Sequence, residues 1–67
     1  MSYVNVDVSV HDSEIDEPIV IELVLDVIDY PAIDSAYSYR TREASVIREV
    51  KMRGYHWGSI LNWSDSL

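Results

Sequence analysis

Ile19-Val20-Ile21-Glu22-Leu23-Val24-Leu25-Asp26-Val27-Ile28-Asp29-Tyr30 is the stretch on which the fold turns, and it fits two periods. Wound as a helix, it places Glu22, Asp26 and Asp29 at i, i+4 and i+7. They form one narrow polar stripe with apolar residues around the rest, the pattern of a mostly buried helix. Helix-start chemistry precedes it: Asp16 suits the N-cap, and Glu17 and Pro18 suit the first turn, where acids also complement the dipole. Drawn out as a strand, the same stretch alternates through Ile19, Ile21, Leu23, Leu25 and Val27 and is rich in β-branched residues. The start signals and the single polar line favour the helix. The strand reading would instead pair residues 19–28 with residues 3–10 as an antiparallel hairpin.

Upstream, Val4, Val6, Val8 and Val10 alternate with Asn5, Asp7 and Ser9. This is period two, expected of a half-buried strand or of an extended arm that orders against a partner. Downstream, Pro31 disfavours helix at Tyr30. Residues 31–39 read as a loop or as the first turns of a longer helix, with Ala32, Ile33, Ala36 and Tyr37 at helical spacing. Thr41 to Arg53 is the clearest helix. Ala44, Ile47 and Val50 share one face, Arg48, Lys51 and Arg53 suit the C-terminal end of the dipole, and Gly54 is a natural C′ stop. The aromatic segment 55–63 reads as a cap on the core, with a turn of helix over 59–63. The expected fold is mainly α with an N-terminal extended segment: an acidic arm over 1–16 and a helical core over 17–63. The alternative is an α+β chain, a ββα arrangement of hairpin plus helix.

Charge is divided along the chain. The net charge is −7. Residues 1–39 hold Asp7, Asp12, Glu14, Asp16, Glu17, Glu22, Asp26, Asp29 and Asp34 and no Lys or Arg. Residues 40–67 hold Arg40, Arg42, Arg48, Lys51 and Arg53 against Glu43, Glu49 and Asp65. One consequence is intramolecular, or between two copies: acidic and basic elements side by side with their rims facing each other. The other is an acidic surface that steers a basic partner. Direct nucleic-acid binding requires a basic stripe and is opposed by the net charge.

Motifs that carry chemistry are scarce. There is no cysteine, which removes disulfides and thiolate metal sites. Asp12, Glu14 and Asp16 resemble the opening of a calcium loop, but Glu17 stands where glycine is needed and Leu23 where a bidentate Glu is needed. His11 and His56 alone make a poor zinc site. No metal, cofactor or catalytic set is expected, and the chain reads as non-enzymatic. No segment has the length and apolarity of a membrane span, and residues 1–7 lack a signal peptide's basic n-region, so a cytoplasmic location is expected. Tyr55, Trp57 and Trp63 are of the residue types that anchor interfaces, and they serve equally well to close a core.

The run Val4-Asn5-Val6-Asp7-Val8-Ser9-Val10, then Ser13-Glu14-Ile15-Asp16 before an apolar stretch, together with Arg53-Gly54-Tyr55, resembles small acidic proteins encoded by bacteriophages. The resemblance covers about a third of the chain. It implies a protein working in a bacterial host cell as an inhibitor of a defence or nucleic-acid-handling protein. The partner-binding set is then Asp7, Asp12, Glu14, Asp16, Glu17, Glu22 and Asp26 with Tyr55, Trp57 and Trp63, facing a protein with a basic surface. The alternative is a small assembly subunit whose apolar faces around Leu23 and Ile47, with the C-terminal aromatics, form a homo-oligomer. A helix-turn-helix module is a third option, to which Thr41 to Arg53 contributes only the last helix.

Overall fold

The computed structural model describes residues 2–66. They form a three-stranded antiparallel sheet with one long helix on one face, so the expectation of a mainly helical chain is corrected. The strands are β1 (Tyr3–Val10), β2 (Ile19–Asp26) and β3 (Ile60–Asp65), in the order β2-β1-β3. The helix is α1 (Ala36–Met52), and a short 3-10 turn, Trp57–Ser59, precedes β3. The arrangement is nearest to the ββα alternative, with a third strand added.

Residues 3–10 are therefore not part of an arm. β1 is the central strand, and Val4, Val6, Val8 and Val10 are the most completely buried row of the molecule. Each buried valine contributes about 1.5–3 kcal/mol of transfer free energy. β2 pairs with β1 from Tyr3↔Asp26 to Val10↔Ile19 without a register shift. The helix reading of 19–30 fails because its polar stripe does not discriminate. Glu22 and Asp26 are four residues apart, a multiple of two as well as one helical turn, so a strand also places them on one face. Leu23 and Leu25 point to the core, and Ile19 and Ile21 pack at its margin. Asp16 and Glu17 lie in the exposed hairpin loop and cap nothing. Its turn is held by Asp12, whose Oδ1 accepts from the Glu14 amide at 2.9 Å.

α1 begins at Ala36, earlier than the clearest helical pattern indicates. Ser35 is its N-cap: its hydroxyl accepts from the Ser38 amide, and the Ser38 hydroxyl oxygen accepts from the Ser35 amide at 3.1 Å, closing a capping box. The helix ends as expected at Gly54, whose φ of 88° is the left-handed C′ conformation. The Gly54 amide donates to Lys51 O and the Tyr55 amide to Val50 O, which is the Schellman pattern.

The helix face differs from the expected one except at Val50. Val46 and Val50 face the sheet core with Ser38, Arg42 and Ser45, while Ile47 is half-buried and Ala44 exposed. The polar members bind the segment that follows β2: the Ser45 hydroxyl donates to Asp29 O at 2.7 Å, and Arg42 Nε donates to Pro31 O. Residues 60–65 form a strand where a turn of helix was expected over 59–63. The β1–β3 register shifts between Ser9 and Val10, so Ile60, Trp63 and Asp65 turn inward at spacings of three and two. Leu23 lies inside the core, which removes it from the expected oligomer face.

Candidate functional site

The helix covers one face of the sheet and leaves the other open. On the open face β1 contributes Tyr3, Asn5, Asp7 and Ser9, and β2 contributes Val20, Glu22, Val24 and Asp26. The cross-strand register puts Asp7 directly opposite Glu22. Its phase follows from the next bond along the ladder, in which the Val27 amide donates to Ser2 O at 3.2 Å. Antiparallel ladders alternate, so Val4/Leu25, Val6/Leu23 and Val8/Ile21 are hydrogen-bonded pairs, and Asp7/Glu22 is one of the closer, non-hydrogen-bonded pairs. Like charges at such a position destabilise a sheet. β3 flanks this face with Asn62 and Ser64, which carry no charge.

Three of the five bases are held elsewhere. Arg42 pairs with Asp65 at 3.4 Å, Arg48 with Glu49 at 3.5 Å, and Arg53 with Glu49 at 3.3 Å. All three pairs lie within residues 40–67. One ion pair joins the two halves of the chain among the described residues: Arg48 to Asp29, at 3.8 Å between half-exposed side chains. Such a pair contributes little. Asp7, Asp12, Glu14, Asp16, Glu17, Glu22, Asp26 and Asp34 make no ion pair among the described residues. Rim-to-rim neutralisation, expected from the divided charge, is confined to that single contact.

The structure splits the candidate partner-binding residues between two surfaces. Asp7, Glu22 and Asp26 lie on the open sheet face, and Asp12, Glu14, Asp16 and Glu17 on the hairpin loop that continues from it. Tyr55 and Trp63 are half-buried against the core on the helix side. Trp57 is 57% exposed on the 3-10 turn, stacked on His56 at 5.5 Å between ring centroids. Tyr55 and Trp63 thus help to close the core, and the aromatic group does not join the acids in one site.

A concavity of about 370 Å³ opens between the helix and β3, lined by Tyr30, Ile33, Tyr39, Arg42, Trp63 and Asp65 among others. At its base the Tyr30 hydroxyl donates to Asp65 Oδ2 at 2.7 Å, and the Arg42 guanidinium lies 4.3 Å from the Tyr30 ring centroid. Burial, followed by the Asp65 hydrogen bond and charge, pushes the Tyr30 phenol up to about 12, with Arg42 opposing. At neutral pH the phenol is a hydrogen-bond donor, and the ion pair ties β3 to the helix. The three groups form one polar knot that joins the segment after β2, the helix and β3. Among the described residues no group of three or more His, Asp or Glu could hold a metal ion, and no helix is long and apolar enough to cross a membrane.

These features define a small α+β chain with one covered and one uncovered sheet face. No family model, curated protein or solved structure matches the sequence.

Proposed function

We propose that this chain is a non-enzymatic interaction module that presents its open sheet face and hairpin loop to a basic protein surface. The observation that carries the reading is the juxtaposition of Asp7 and Glu22 at a close cross-strand position with no base beside them. Folding alone gains nothing from that pair, whereas a partner bringing Lys or Arg converts the repulsion into attraction. The loop acids extend the same field and raise the association rate. The resemblance to small acidic phage proteins supports a host protein as the target, in particular one that handles nucleic acid or serves in defence.

The test is capture of partners from a bacterial lysate by the tagged chain at low and moderate salt. A basic protein retained at low salt and released as salt rises supports the reading. Asn and Gln at Asp12, Glu14, Asp16 and Glu17 should weaken its retention and flatten the salt dependence. Retention unchanged by those substitutions refutes it. The homo-oligomer alternative predicts a constant closed mass in light scattering across concentrations, with Ile47 and Trp57 at the contact in place of Leu23.

A further inference from the structure

The free edge of β2 suggests how such a partner is held. β2 is an edge strand, with β1 as its one neighbour in the sheet. The ladder phase set by Val27 and Ser2 directs the N–H and C=O groups of Val20, Glu22 and Val24 away from β1. Among the described residues no other backbone or side-chain group meets them.

Natural edge strands are usually blunted by proline, lysine, a bulge or short length. β2 has no proline, lysine or bulge over its 8 residues and its register with β1 is unbroken; the charges it does carry, Glu22 and Asp26, are acidic, and they deter an acidic strand while favouring a basic one. β3, the other edge, is shorter and bulged. Val20 and Val24 lie 59% and 63% exposed on either side of Glu22.

We infer that β2 accepts an added strand from the partner, an extended segment with Lys or Arg at alternate positions. This rests on the acidic-surface reading and specifies its geometry. Strand addition draws affinity from main-chain hydrogen bonds and specificity from alternate side chains. The segment's basic side chains would share the open face with Glu22, and long ones would reach past it to Asp7. Its other side chains would turn toward the core side, beside Ile19 and Ile21. A second copy of this chain is the poorer occupant. It would bring its own Asp7, Glu22 and Asp26 onto the same continuous face, adding like charge to like.

The experiment uses the intact chain and a peptide of alternating lysine and valine, as long as β2. Amide hydrogen exchange of the protein is followed with and without the peptide, and affinity is measured as salt is varied. The expected result is new protection at Val20, Glu22 and Val24 and binding that weakens with salt.

Two altered reagents separate the layers of the inference. Val24→Pro keeps every charge and removes an N–H that faces outward, a position where edge strands tolerate proline. It should weaken binding by about tenfold or more, as expected for one or two lost backbone hydrogen bonds and a steric block. A peptide N-methylated at alternate amides should lose binding to the unaltered protein, which decides the matter if the proline variant fails to fold. Equal binding by that peptide overturns strand addition and leaves the acidic face standing. Binding unchanged in the Asp7→Asn, Glu22→Gln double variant overturns the acidic reading itself, and no binding of the first peptide overturns both. Protection of β2 in the protein alone, with a mass that rises with concentration, assigns the edge to a second copy instead.

Discussion

The Tyr30 hydroxyl and Asp65 Oδ2 meet at 2.7 Å although they lie 35 positions apart, and this bond joins the segment after β2 to the end of β3. The two strands are not neighbours in the sheet, since β1 lies between them. Arg42 completes the junction from the helix, resting on the Tyr30 ring while pairing with Asp65. A domain this small gains few kilocalories from its core alone, so one satisfied polar junction is a sizeable part of the whole.

Tyr30→Phe keeps the ring under Arg42 and deletes the donor to Asp65. The loss should be about 1–2 kcal/mol in urea unfolding at neutral pH. The folded-state phenol lies at about 12 against the ordinary 10.0, so its contribution is fully present below pH 10 and is lost as pH rises toward 12. The native protein should therefore lose stability across that window, and Tyr30→Phe should lose less. Parallel alkaline curves for the two would refute the assignment.

Val6→Ala and Val24→Ala make the same chemical change on opposite faces of the sheet. Val6 is fully buried, and its truncation should cost about 2–3 kcal/mol. Val24 is largely exposed and should change stability by no more than about 0.5 kcal/mol. Thermal or urea unfolding of the pair checks which face the helix covers. Equal losses would mean that both are covered.

Asp7→Asn should stabilise the free protein by roughly 0.2–1 kcal/mol at low salt, because it removes a like-charge cross-strand pair. Glu22→Gln should do the same, and the double variant should gain little beyond either single one, since the repulsion belongs to the pair. Strictly additive gains would show that the two carboxylates do not sense each other. An increase in stability accompanied by weaker partner binding is the expected signature of a surface kept for recognition at the expense of folding.

Gly54→Ala tests the helix stop. Open space surrounds the position, so no steric clash arises, and the penalty is the left-handed backbone alone, about 1 kcal/mol. Gly54→Asn should lose less, since asparagine tolerates that conformation better. Denaturant midpoints of the two variants give the comparison.

How far the sequence discloses this fold depends on which side chains carry the packing. The β1 valines announce their period because each one is apolar and each one is buried. The helix is less legible because three of the five residues on its inward face are polar. Ser38, Arg42 and Ser45 turn in to cap, to pair and to hold a loop, and a search for apolar spacing finds Val50 correctly but joins it to half-buried Ile47 and exposed Ala44. β3 is hidden by its bulge, which breaks the alternation of Ile60, Trp63 and Asp65. Of the candidate surface, the acids were visible at once as a composition. That Asp7 faces Glu22, and that Tyr55 and Trp63 lie on the opposite side, depends on the exact register of the hairpin and on β3, which alternation alone does not fix.

β1 is made before either of its neighbours, and its two edges are completed at different times. β2 follows after a short loop, but β3 arrives only when the helix has been synthesised, with Val6 waiting for Asp65. Until then the nascent hairpin is a two-stranded ribbon, marginal in water, with a row of valines uncovered and the far edge of β1 unpaired. Neighbouring ribosomes hold such ribbons close together, and unpaired edges of this kind template pairing with one another. Every charged side chain in residues 1–39 is acidic, so the unfinished hairpins repel one another until the helix arrives with the bases.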